Sequence, residues 1–272
     1  MKVSLCSNRQ ILQGCDLETY AYQCDPYIGC EHRCSYCYVL NQAETDWSRE
    51  IQAHRDFAVR LRAELFPIKP QTIYFGMNTD PYQPVEEKRR YTRQALELLV
   101  ELGFSACILT KSDLVLRDIE LLQNMADCSV GFSLAFQDEG VRSRFEPYAP
   151  SNQRRIAALR KLKEVGVETY VVICPVMPYI TDVETLIEDL APIADTIWIY
   201  PLRMRLESDR NWQNVLSTLS EDFPDLTEQY RRVAFGRDHP YWLDLRCVLE
   251  EIRSKRGSNL RIELGNQGSS NG

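Results

Sequence analysis

The stretch TIYFGMNTDPYQPVEEKRRYTRQALELLVELGFSACILT, residues 72–110, contains one complete unit of the fold. Thr72–Phe75 is a short apolar run bounded by Gly76, which is what a strand covered on both faces looks like. Tyr91, Ala95, Leu98, Leu99 and Leu102 then fall on one helical stripe that stops at Gly103. A second apolar run, Phe104–Leu109, follows at once. Strand, helix, strand in this order predicts parallel strands joined by a right-handed crossover.

The same rhythm extends in both directions. Further strand runs are Ser129–Leu134, Glu168–Ile173 and Thr196–Tyr200, with an earlier one near Thr19–Cys24. Helices are expected through Ile51, Phe57, Ala58, Leu61 and Leu65, through Val115, Ile119 and Leu122 behind Ser112–Asp113, and over Gln153–Val165 ending at Gly166. Another runs through Val183, Leu186, Ile187 and Leu190, with Thr181 and Glu184 at capping-box spacing. About six alternations fit a doubly wound sheet or a closed or partial barrel, and periodicity does not choose between them. After Pro201 the sequence becomes polar and helix-rich over roughly 207–256, followed by a last short run, Asn259–Leu264. His54 falls on the stripe of the first helix and reads as a core histidine.

The chain has 272 residues, 44% hydrophobic and 26% charged, with 12 Gly and 13 Pro. That composition excludes a mainly disordered or collagenous chain. No run approaches the ~18 apolar residues of a membrane span. The N-terminus turns polar at Ser7 and does not read as a secretory signal. The expectation is a cytoplasmic protein without a membrane partner. A formal charge of −7 and a pI near 5.2 argue against a large non-specific nucleic-acid surface.

Ten cysteines in such a chain point to metal or redox chemistry rather than disulfides. Three lie within eight residues, Cys30-Glu-His-Arg-Cys34-Ser-Tyr-Cys37. Soft thiolates favour an iron–sulfur cluster, zinc or Cu(I). A structural zinc site needs a fourth ligand, for which Cys24 or His32 are candidates. Three cysteines on a four-iron cubane leave one iron open, which is what a catalytic centre requires. The triad lies between the first strand run and the first helix, at the mouth where barrel active sites gather. Cys6, Cys15 and Cys24, spaced 9 and 9, are candidates for a second cluster.

CDPYIGCEHRCSYCYVL (24–40) resembles the cluster loop of radical S-adenosylmethionine (SAM) enzymes. With TDPYQPVEEKRRYTRQALELL (79–99), LTKSDLVLRDIELL (109–122) and FEPYAPSNQRRIAALRKLKEVGV (145–167), the chain is similar to the spore photoproduct lyase-like branch. The resemblance implies an α/β fold, a partial (β/α)6 TIM-like barrel over 20–203, with an N-terminal segment 1–19 and a helical C-terminal extension 204–272. It implies a [4Fe–4S] cluster on Cys30, Cys34 and Cys37, and SAM as cofactor, cleaved reductively to a 5′-deoxyadenosyl radical that takes hydrogen from substrate. It also implies a one-electron donor such as a flavodoxin or ferredoxin.

By the same resemblance Asn78, Thr79 and Asp80 would hold the SAM ammonium, Lys111 and Ser133 its carboxylate or ribose, and Tyr36 would wall the adenine. Tyr36 and Tyr38 flank the last cysteine, as in the photoproduct lyases, where such tyrosines are linked to hydrogen return. Those lyases place a hydrogen-donating cysteine where this chain has Met77, and a thioether has no S–H to give. Thymine-dimer reversal is therefore not expected. Cys107 and Cys174 read as small buried hydrophobes in strands. The substrate is expected to be a nucleic acid, otherwise a peptide or small molecule. The competing classes are a non-catalytic zinc or iron–sulfur protein, and a nucleic-acid-binding protein braced by its cluster. The charges of Lys88, Arg89, Arg90 and Arg93 read as a solvated face, whereas Arg203 and Arg205 sit where a substrate anion could be held.

Overall fold

The strand–helix–strand unit at 72–110 is present in the computed structural model, which describes residues 1–236, 239–256 and 259–265. In chain order the elements begin with β1 (Lys2–Cys6), β2 (Leu12–Gly14), β3 (Tyr22–Cys24), β4 (Tyr27–Ile28) and β5 (Glu50–His54). Then come α1 (Phe57–Leu65), β6 (Thr72–Phe75), α2 (Glu86–Arg89), α3 (Tyr91–Leu102), β7 (Ser105–Thr110) and α4 (Ile119–Leu122). They continue with β8 (Ser129–Ser133), α5 (Glu139–Phe145), α6 (Asn152–Glu164), β9 (Glu168–Val176), α7 (Val183–Leu190) and β10 (Thr196–Pro201). The C-terminal part holds α8 (Arg210–Asp222), α9 (Thr227–Phe235), α10 (Pro240–Arg256) and β11 (Leu260–Ile262). No helix among the described residues is long and apolar enough to cross a membrane.

The chain divides into two compact units. The first comprises Met1–Arg33, Ala43–Phe132 and Tyr148–Thr169. Its main sheet runs β2-β3-β6-β7-β8, parallel from β3 onward, with β2 antiparallel at the edge. A small sheet, β1-β5-β4, pairs β1 with β5 in parallel and β5 with β4 antiparallel. Ile73 and Phe75 are fully buried, as are Ala95, Leu96 and Leu99 of α3, so the helical stripe read from the sequence is the core face. Gly103 ends α3 at φ +75° and its N–H closes on Val100 O, as its position predicted.

The second unit comprises Cys34–Gln42, Ser133–Pro147 and Tyr170 onward. Its strands β9, β10 and β11 are parallel in that order. Trp212, Val215 and Leu219 of α8 and Tyr230 and Val233 of α9 are buried, so the predicted C-terminal helices do carry a core face. Residues 237–238, 257–258 and 266–272 of the expected extension lie outside the described residues.

The fold is mixed α/β with parallel strands, as expected, and neither unit closes a barrel among the described residues. Several finer expectations are corrected. Ile51 and His54 do not belong to the first helix. Ile51 and Ala53 alternate inward along β5, and the helix starts only after Asp56, which turns the chain at φ +52°. His54 is a core histidine, but a strand one, 1% exposed and bonded to Asp25 O at 3.1 Å. Val115 lies in a 3-10 turn, Asp113–Asp118, that precedes α4. Thr181 does not cap α7, because its hydroxyl donates to Ala135 O (2.9 Å) and accepts from Met177 N (2.8 Å). Asp182 caps instead, accepting from Thr185 N at 3.0 Å. Within 1–19, β1 and β2 are strands that no periodicity announced.

Candidate cluster and cofactor site

Cys30 follows β4 through Gly29, whose φ of +93° and closeness to Trp47 Nε1, 3.0 Å from a built Cβ, require glycine. The segment after β6 holds both flanks of Cys30. Thr79 Oγ1 donates to Gly29 O (2.6 Å), and Gln83 Nε2 donates to the same carbonyl (3.0 Å). On the other side Glu31 N–H donates to Gln83 Oε1 (2.9 Å), and Val85 N–H to Glu31 Oε2 (2.5 Å). Gln83 is wholly buried, so these bonds form out of water, where losing them costs most.

His32 is 2% exposed, and both ring nitrogens face protein acceptors. Nε2 stands 3.2 Å from Asp80 Oδ2, an ion-pair distance without hydrogen-bond alignment, and Nδ1 lies 3.3 Å from Tyr148 O. Next to it Arg33, at φ +48°, lays its guanidinium 3.7 Å over the Tyr148 ring. Asp80 is occupied in turn. Its carboxylate accepts from Thr110 Oγ1 (2.6 Å), Lys111 N (2.8 Å) and Tyr82 N (2.9 Å). Burial alone would raise the Asp80 pKa, but His32 and the Thr110 and Lys111 donors override it and bring it down to about 2. Asn78 donates through Nδ2 to Asp25 Oδ2 (2.8 Å) and through its N–H to Asp25 Oδ1 (3.2 Å). Burial raises the Asp25 pKa against the pull of the Asn78 and Gln23 hydrogen bonds. Gly76 leaves β6 at φ +104°, with a built Cβ 2.1 Å from Leu109 O, so only glycine admits this exit.

Thus Asn78, Thr79, Asp80, Lys111 and Cys30, expected together, do share the first unit. Asn78, Thr79 and Asp80 are engaged in shaping the loop, and Lys111 enters the network through its backbone N–H. His32, Gln83 and Asp25 were not foreseen in these roles.

In the second unit Cys34 is nearly buried and Cys37 is half-buried. Cys37 N–H donates to Cys34 O (3.2 Å) and Leu40 N–H to Cys37 O (3.2 Å), a tight turn leading into the 3-10 helix Tyr38–Gln42. Ser35 N–H donates to Phe145 O at 2.8 Å. The Tyr36 hydroxyl donates to Glu146 Oε1, and Glu146 is fully buried. Asn211 Nδ2 reaches Tyr36 O at 3.5 Å and is itself paired with Asn41. Tyr38 is 49% exposed. Ser133 is buried, its hydroxyl donating to Cys174 O at 3.4 Å. Arg203 and Arg205 are exposed.

Cys24 is buried in β3 with its thiol pushed well up by burial and by Asp25. Cys6 ends β1, bonded to Asn8 Oδ1 at 3.1 Å, and Cys15 is half-buried. Arg93 pairs with Asp118, Glu120 and Glu97, so it serves the fold rather than a solvated face. Among the described residues no three His, Cys, Asp or Glu side chains gather at one single-ion position. The donors in the Cys30–Cys37 loop are soft thiols, the set an iron–sulfur cluster takes.

The family model of the radical SAM superfamily matches residues 25–190. An uncharacterised protein of Methanocaldococcus jannaschii is 29% identical over 211 residues, covering 76% of this chain and 78% of that protein. A radical SAM Nα-GlyT isomerase of Pseudomonas phage M6 is 28% identical over 178 residues, 63% of this chain but 37% of the phage protein. Among solved structures, spore photoproduct lyase complexed with dinucleoside spore photoproduct superposes with a TM-score of 0.68 at 14% identity, covering 96% of this chain and 81% of that one. At that identity the likeness is one of fold. The matched span contains all three clustered cysteines and the loop that grips the first of them, and the chain is a radical SAM enzyme, a member of the superfamily whose cofactors are a [4Fe–4S] cluster and SAM.

Proposed function

We propose that Cys30, Cys34 and Cys37 ligate the cluster and that the enzyme abstracts hydrogen from a nucleic-acid component. The observation that carries the cluster assignment is the CxxxCxxC triad inside the span matched by the family. Held by Cys30, Cys34 and Cys37, the cluster would supply the one-electron reduction by which SAM gives a 5′-deoxyadenosyl radical. The chain's own residues bind, orient and exclude water. Gln83 and Thr79 hold the backbone on either side of Cys30, and the Asp80–His32 pair stiffens the residues between Cys30 and Cys34. Lys111 and Ser133 remain the proposed contacts for the carboxylate or ribose of SAM, and Asn78, Thr79 and Asp80 the loop that frames its ammonium. Tyr38, the more exposed of the two tyrosines, is the better candidate for hydrogen return. The partial barrel spans 20–203 in this reading, with 1–19 and 204–272 as flanking segments.

The nucleic-acid substrate is supported by the dinucleoside in the structural relative's complex. The net charge of −7 favours a second reading, a peptide or small-molecule substrate. Electrons would come from a low-potential flavodoxin or ferredoxin. Anaerobic reconstitution with iron and sulfide, followed by dithionite and SAM, is expected to yield 5′-deoxyadenosine, and Cys34→Ala to abolish both cluster and product. An intact four-iron cluster that forms no 5′-deoxyadenosine would overturn the reading. Adding an oligonucleotide or a peptide separates the substrates by which one accelerates SAM cleavage.

A further inference from the structure

Glu146 lies 109 positions beyond Cys37 in sequence, at the end of α5, yet it is fully buried and accepts the hydroxyl of Tyr36, the residue immediately before that cysteine. Its neighbour Phe145 accepts Ser35 N–H through its carbonyl (2.8 Å). Two consecutive residues therefore hold the two residues that separate Cys34 from Cys37. Glu146 is itself fixed at the backbone, its N–H donating to Arg142 O (2.7 Å) and its carbonyl accepting from Arg142 Nη1 (2.7 Å). Tyr36 is also held by Asn211 Nδ2 at its carbonyl (3.5 Å), and the Phe136 ring lies 6.4 Å away between centroids. A fully buried carboxylate is costly unless it is hydrogen-bonded, so its placement under a turn bearing two thiols calls for a purpose.

We propose that Glu146 is a positioning residue for the cysteine turn: it locks Tyr36, and through Tyr36 the spacing of Cys34 and Cys37. The inference rests on the cluster assignment above only for its consequence, not for the contact itself. It also changes the role of Tyr36. A hydroxyl hydrogen directed at a carboxylate is not presented to a substrate radical, so Tyr36 orients and does not return hydrogen.

The test compares Tyr36→Phe, Glu146→Gln, Glu146→Leu and the Glu146→Leu/Tyr36→Phe double variant. Hydrogen exchange of the 34–42 amides is measured in the chain as purified, and electron paramagnetic resonance in the reconstituted, reduced holoenzyme. A hydrogen bond to a buried charged group is strong enough that its loss should speed local opening about tenfold or more. Tyr36→Phe and Glu146→Leu are each expected to do so, with the double variant no faster. Glu146→Gln keeps an acceptor but loses the charge, and is expected to fall between wild type and Glu146→Leu. In the holoenzyme Tyr36→Phe is expected to retain its iron while the SAM-induced change in the cluster spectrum shrinks, an effect that loss of general stability would not single out. Unchanged exchange in Tyr36→Phe, or multiplicative effects in the double variant, would overturn the proposal. If Glu146→Leu does not fold, Tyr36→Phe and Glu146→Gln decide it between them. A wild-type chain that takes up no iron would sink the cluster assignment, and the exchange comparison on that same chain would still decide the role of Glu146.

Discussion

Replacing Asp80 with Asn tests whether this carboxylate is a keystone of the loop. Its side chain is 8% exposed and its pKa lies at about 2, against 3.8 for an ordinary aspartate. That lowering corresponds to about 2 kcal/mol of folding free energy at neutral pH. Because the folded pKa is the lower one, the contribution is fully present above roughly pH 5 and is lost as pH falls through about 4 toward 2. An asparagine forfeits the charge and also turns an NH2 toward a place where Thr110 Oγ1, Lys111 N–H, Tyr82 N–H or His32 now approaches an acceptor oxygen. One mispaired buried donor adds about 1–3 kcal/mol, so the total expected loss is about 3–5 kcal/mol. Urea unfolding of wild type and variant near pH 7, 5 and 3 measures it. The gap is expected to be equal at the two upper pH values and to narrow at the lowest. A gap below about 1 kcal/mol at neutral pH, or one that does not narrow, would refute the reasoning.

Two further outcomes follow from the same geometry. Gly76→Ala puts a Cβ against Leu109 O, 2.1 Å away, at φ +104°, so a loss of at least about 3 kcal/mol and a Tm lower by about 10 °C are expected; a thermal melt within ~3 °C of wild type would contradict the placement of that turn. Burial, aided by Arg60, brings the His54 pKa down to about 4. The folded chain therefore resists protonating it, and stability falls by up to about 3 kcal/mol as pH drops from roughly 6.5 to 4. In His54→Gln the slope of stability between roughly pH 7 and 5 is expected to flatten, again by urea unfolding, and an unchanged slope would exclude His54 as its source.

Where local pattern and burial agree, the sequence was readable. β6 spans the same four residues as the run at 72–75, and α3 stops at the glycine that marked its end. The failures have specific causes. Ile51 sits at a spacing compatible with a helix that starts six residues later, and only the left-handed turn at Asp56 separates strand from helix. β1 and β2 are short and partly exposed, so they carry no sustained alternation. Thr181 had the right spacing for a cap, but a carbonyl 46 positions away claimed its hydroxyl. The triad was legible because its cysteines are close in sequence. Its supports were not, because Thr79 to Gly29 spans 50 positions and Tyr36 to Glu146 spans 110, and such contacts leave no periodic trace. Their only signal was location, inside TDPYQP and FEPYAPS, the same segments that carried the family resemblance.

The bridge made by Gln83 bears on how the metal arrives. One amide side chain accepts from the residue after Cys30 and donates to the residue before it, so protein contacts on both sides shape the peptide there. Where such a framework exists in advance, loading resembles seating a part in a finished mount, unlike small zinc modules that fold only around their ion.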